Sequence, residues 1–254
     1  GGVEWSFYPD NFGRILGFAN PEFEEDDPVY IGIFLRSIRI AAMTVGATLL
    51  VCYPAAFYIS RLPDRWKNFC LFLITLPFFS SLIVRLFVWV MILRPTGLVN
   101  NTLMATGIIS APLEMIYTDG AIILGMVYVF IPFMFMPVYA SIEKLDWRLV
   151  QASLDLGAGP VRSFLRIILP LTAPGIAAGS VIVFIPALGN FVVPAILGGA
   201  KVMMLGNLIE AQFLSARNWP FGSALAMMVM AVMLVLLVAY VIVSGRRNLA
   251  ASAA

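Results

Sequence analysis

Histidine is absent from the 254-residue chain, cysteine occurs twice (Cys52 and Cys70), and charged residues make up only 12%. The missing imidazole excludes a Ser-His-Asp triad, a histidine-ligated haem and the usual mixed zinc sites. Two thiols are too few for a disulfide framework. Neither HExxH nor GxSxG occurs, so an intramembrane hydrolase has no recognisable machinery. No GxxxxGK[ST] loop is present, and ATP hydrolysis is not expected in this chain. No catalytic residue and no metal ligand set is assigned. A net charge of +2 is too small to argue for a nucleic-acid partner. In excess are hydrophobic residues, at 61%, with a mean hydropathy of +0.95. Soluble domains run at about 45–50% apolar and about 25% charged. The composition excludes a soluble globule and a disordered chain and points to a bilayer.

Crossing a bilayer takes roughly 20 apolar residues in helix. Runs nearly free of Asp, Glu, Lys and Arg cover 40–60, 68–93 (broken only by Arg85), 120–142, 167–200 and 218–245. They predict an all-α integral membrane protein with five spans near 30–60, 68–93, 120–142, 170–198 and 219–244. Short alternating segments, the mark of a transmembrane β-barrel, are missing. Segments 61–67 and 143–166 with Arg246 and Arg247 hold nine basic residues against four acidic ones. The remaining links hold ten acidic and four basic residues. The positive-inside rule places the first set, including the tail 248–254, in the cytoplasm and segment 1–28 outside. An external start without an export signal leads us to expect one further span upstream, six in all. Glu22, Glu24, Glu25, Asp26 and Asp27 are expected to be solvated external charges. A lure for a cationic solute is the alternative reading.

The segment 143–169 reads EKLDWRLVQASLDLGAGPVRSFLRIIL. Asp146 is placed to cap a helix N-terminus. Leu145, Leu149, Ala152 and Leu156 recur at helical spacing. Gly157 suits a left-handed stop, and Pro160 suits the first position of a second helix. Pro170 then disrupts that helix or leads into the next span. Two short helices joined by a Gly-Ala-Gly-Pro elbow are expected, held between two spans. Loops of this length with their own caps are uncommon as plain linkers.

Gln151-Ala152-Ser153, then Gly157, Ile167 and Leu169-Pro170, resembles the "EAA…G…I.LP" loop of permease subunits of binding-protein-dependent ABC importers. Gln151 stands where that family usually has Glu, and Ser153 where it usually has Ala. Phe130-Ile131-Pro132-Phe133-Met134, Ser141-Ile142-Glu143-Lys144-Leu145-Asp146 and Arg217-Asn218-Trp219-Pro220-Phe221-Gly222 are similar to spermidine/putrescine permeases in particular. So is Asp10-Asn11-Phe12-Gly13-Arg14-Ile15-Leu16, at the place of the family's short external segment. The resemblance implies a type I ABC importer transmembrane domain over 29–247 in the bacterial inner membrane. It also implies a second homologous permease, two ATP-binding subunits that hold ATP and Mg, and an external solute-binding protein. Gln151, Ala152, Ser153, Asp155, Gly157 and Pro160 would then couple this chain to the ATPase.

Within the spans, Arg85 is the one ionisable residue far from either end, a functional position by default. A polyamine is itself cationic, so a gating or structural role is expected, bonded to carbonyls freed near Pro77 or to the second permease. Outward snorkelling is the alternative. Arg36 and Arg39 are expected to snorkel near the external end of their helix. Asn190, flanked by Pro186, Gly189 and Pro194, is a transport-path candidate; an interhelical hydrogen bond is its alternative. Trp89 and Tyr128 could offer aromatic faces to an ammonium group. Gly175 and Gly179 form a small-xxx-small face read as close helix packing. The spans contain no Asp or Glu, so an amino-acid-like amine, an opine, ferric iron or an oxyanion stays open as cargo. The same absence makes a proton-coupled secondary transporter a poor reading.

Overall fold

A computed structural model describes residues 10–15, 29–199 and 201–252. The acidic run from Glu22 to Asp27 lies outside the described residues. Helix α1 spans Asp10–Ile15, and α2, Val29–Ile59, is the first long helix. Then come α3 (Asp64–Thr75), a 3₁₀ turn (Leu76–Phe79), α4 (Leu82–Leu93) and α5 (Leu98–Ala105). Helix α6 runs over Asp119–Glu143, followed by α7 (Trp147–Asp155), α8 (Pro160–Ser163), a π-helical stretch (Phe164–Ile168) and α9 (Leu169–Leu188). The last are α10 (Val192–Leu197), α11 (Leu205–Leu214) and α12 (Trp219–Ser252). Five stretches are long and apolar enough to cross a membrane, and the described residues contain no strand.

Helices α2, α6 and α9 pack on one another as the core. Its interior is apolar: Ile40, Ala56, Met126, Met134, Val138, Ile142 and Val183 are fully enclosed. Small residues set the α6–α9 distance. A Cβ on Gly175 would lie 2.5 Å from the Pro137 carbonyl oxygen, and one on Gly179 would lie 2.7 Å from Met134 Sδ. The small-xxx-small face thus packs on α6, as its residues predict. The buried serines and threonines are paired, as low-dielectric surroundings require. Tyr53 Oη lies 3.0 Å from Thr172 Oγ1, which donates to the Ile168 carbonyl at 2.9 Å. Ser37 Oγ donates to the Ile33 carbonyl and accepts the Leu205 N–H, joining α2 to the start of α11.

Two expected spans are interrupted. The stretch 68–93 is not one helix. Pro77 opens the 3₁₀ turn, Ser80 is extended (φ −110°, ψ 149°), and its hydroxyl donates to the Pro77 carbonyl at 2.9 Å. A serine hydroxyl bonding backward offers the chain an alternative to the helical ladder, and proline supplies no N–H. The two parts nevertheless run together, antiparallel to α6. Lys67 pairs with Glu143 at 3.1 Å, the Phe78 and Phe133 rings lie 5.4 Å apart, and the Trp89 and Tyr128 rings 5.7 Å apart. The stretch 170–198 likewise ends as a helix at Leu188, and α10 begins after Gly189, Asn190 and Phe191. Helix α9 carries Pro174 and Pro186 within it, so proline alone does not break it.

Candidate functional site

The elbow at 143–169 is built from local chemistry. Asp146 Oδ1 accepts the Arg148 N–H at 3.0 Å and starts α7. Gly157 takes φ +82°, in the left-handed region that residues with a Cβ avoid. Pro160 opens α8, where its missing N–H costs nothing. A serine bridge closes the angle between the helices. Ser153 Oγ donates to the Val150 carbonyl at 2.8 Å, so the 2.7 Å contact to Ser163 is donated by the Ser163 hydroxyl. Ser163 is almost fully buried. The sequence reading did not single it out; its partner Ser153, ten positions away, was the only signal.

The elbow is anchored to the bundle. Leu145, Val150 and Ile168 form a small buried cluster against Phe57, Trp147 and Phe164. The Arg61 guanidinium stacks 4.2 Å from the Phe57 ring and 4.6 Å from that of Trp147. Such cation–aromatic contacts contribute about 0.5–1 kcal/mol at exposed sites. With the Lys67–Glu143 pair, segments 61–67 and 143–166 meet at one end of the bundle, as their common charge sign predicts. The outer face is left uncovered by the described residues. Leu156 is 89% exposed, Val161 70%, Leu165 54% and Leu149 49%. Gln151, Ala152, Asp155, Gly157 and Pro160 are exposed beside them. An apolar ridge held on a rigid base, with polar neighbours, is suited to docking another protein.

Three path candidates meet. Arg85 Cζ lies 5.8 Å from the Tyr128 ring centre, and Trp89, one turn along α4, meets the same ring edge-on. Arg85 Nε is buried and has no hydrogen-bond partner among the described residues. The fourth candidate, Asn190, is held otherwise. Its Oδ1 accepts the Val193 N–H at 2.9 Å and caps the start of α10, an intra-loop bond in place of the interhelical one considered from sequence. Helix α10 packs through Val193 and Leu197 against Gly125, about one turn from Tyr128.

At the far end of the bundle Arg36 and Arg39 both bind Asp119 in the first turn of α6, at 2.7 and 2.6 Å, so the snorkelling expected of them ends on a partner that the sequence did not single out. A carboxylate at a helix N-terminus is favoured by the helix dipole and is thereby placed to receive them. Asn100 is a second residue missed from sequence. Fully buried, it bonds the Arg94 and Leu113 carbonyls and the Leu113 N–H, and so fastens the 94–113 link.

The chain resembles known proteins along most of its length. Residues 47–249 match the family model described as binding-protein-dependent transport system inner membrane component. The spermidine/putrescine transport system permease protein PotB of Escherichia coli K12 is 40% identical over 238 residues, covering 94% of this chain and 83% of the relative. PotB of Haemophilus influenzae is 42% identical over 214 residues, covering 84% of this chain and 75% of the relative. A chain in the crystal structure of a bacterial alginate ABC transporter, bound to an alginate pentasaccharide-loaded periplasmic protein, superposes with a TM-score of 0.65. That match covers 94% of this chain and 88% of the other at 20% identity, so it speaks for the fold. Matched by that family model over 47–249 and 40% identical to PotB across 94% of its length, the chain belongs to the binding-protein-dependent ABC importer permeases, as a multi-pass inner-membrane transport subunit.

Proposed function

We propose that this permease forms half of the translocation path for a polyamine such as spermidine or putrescine. The observation that carries the reading is the 40% identity over 94% of the chain with a permease named for that cargo. The membrane chemistry is compatible with it. With no carboxylate inside the spans, ammonium groups would meet the aromatic faces of Trp89 and Tyr128 and backbone carbonyls freed at the helix breaks. Arg85 then acts by repulsion and packing, not as a ligand. A second homologous permease supplies the other half of the path. An external binding protein delivers the solute, and two ATP-binding subunits, which bind ATP and Mg, dock on the elbow. The elbow and the C-terminus lie on the cytoplasmic side, by the excess of Lys and Arg there.

Uptake of radiolabelled putrescine by cells expressing the complete operon tests the cargo. Unlabelled spermidine and putrescine are expected to compete. Competition by an opine, ferric iron or an oxyanion, with no effect of polyamines, would overturn the assignment.

A further inference from the structure

The charges of the elbow are not balanced by ion pairs among the described residues. Segment 143–169 holds the acids Glu143, Asp146 and Asp155 and the bases Lys144, Arg148, Arg162 and Arg166. Glu143 is paired with Lys67, and Asp146 is engaged with the α7 N-terminus. Arg162 and Arg166 take part in none of the ion pairs found among the described residues. Both line a notch of about 210 Å³ in the angle between α7 and α8, together with Ser153, Leu156, Gly157 and Ser163. The serine hydroxyl protons are committed, one to the Val150 carbonyl and one within the serine bridge. The guanidinium groups are therefore the side-chain donors left to a guest. Exposed apolar surface rims the notch, with Leu156 foremost. Covering such a rim excludes water and strengthens any charge pair beneath it. Gln151, uncharged where related permeases usually carry Glu, supplies no ion pair of its own.

We propose that this notch is the socket for a carboxylate side chain of the ATP-hydrolysing subunit, gripped by Arg162 and Arg166. The polarity of the docking pair is then set by this chain: it offers the cations and its partner the acid. Arginine suits the task, since its planar fork matches a carboxylate and stays charged. The proposal rests on the reading of the elbow as the ATPase-docking segment.

The test uses the permease pair in nanodiscs of phosphatidylcholine, with or without phosphatidylglycerol, titrated with purified ATPase subunit. Arg162→Glu is expected to weaken binding by about tenfold or more in both lipids. Arg162→Lys should retain most of the affinity. Joint Arg162→Gln and Arg166→Gln should weaken binding and flatten its dependence on salt, with the permease pair still eluting as one species. Wild-type affinity for Arg162→Glu overturns the socket. A loss confined to discs with phosphatidylglycerol also overturns it, since the notch would then hold a lipid headgroup. Leu156→Asp separates this inference from the one beneath it. If Leu156→Asp loses binding while Arg162→Glu keeps it, the elbow docks and the socket is wrong; if both keep it, the elbow reading itself fails.

Discussion

Gly157 shows how much one Cβ can decide. The backbone reverses at φ +82° with open space around it, so the constraint is torsional and not steric. A β-branched residue there is strained by about 1–3 kcal/mol. Gly157→Val is expected to leave the subunit in the membrane at normal levels and to abolish uptake, measured by immunoblot and labelled-solute transport. Asn190 is a different case, because its oxygen and not its backbone does the work. Asn190→Asp should keep transport, whereas Asn190→Leu, which leaves the Val193 N–H without its acceptor, should lower thermal stability by about 1–2 kcal/mol. At this scale legibility follows distance along the chain. Asp146, Gly157 and Pro160 act on neighbours within a few positions, and their roles can be read from spacing. Asp119 answers to Arg36 and Arg39, 83 and 80 positions away, and nothing local announces that pairing.

Among the elements, hydropathy located the apolar stretches but not their continuity. Periodicity and charge count cannot tell a helix from a helix interrupted by one extended residue, since either keeps its side chains in lipid or protein. The break at Ser80 and the end of α9 at Gly189 depend on which backbone groups find partners. Proline was an uneven guide. Pro174 and Pro186 ride within α9, while Pro77 sits at a break. Helix packing was easier to anticipate, because Gly175 and Gly179 lack the bulk that would hold α6 away. Gly175→Leu forces a branched side chain onto the Pro137 carbonyl. It is expected to cost about 1–3 kcal/mol by over-packing and to reduce recovery of the assembled complex on size-exclusion chromatography.

For the molecule as a whole, the charge asymmetry predicts its sidedness. The links 61–67 and 143–166 share one end of the bundle, and the Arg36–Arg39–Asp119 cluster marks the other. Cysteines introduced at Arg65 and Leu156 on a cysteine-free background should react with a membrane-impermeant maleimide only in inverted vesicles. Labelling in intact spheroplasts would reverse the assigned orientation.

The interrupted stretch beside α6 has a mechanical consequence. A continuous helix is a stiff rod, and a push at one end reaches the other. Here α3 is fastened at its start to Glu143, next to the elbow, while α4 leans on α10 and the Tyr128 ring. Between them stand an extended serine and a single turn of 3₁₀ helix. Under the proposed docking of the elbow on the ATPase, the joint would work like a knee: the lower half would follow the elbow while the upper half, bearing the path candidates Arg85 and Trp89, kept its place against α6. Drive and proposed path would then share one stretch of chain without the motion of the first disturbing the geometry of the second.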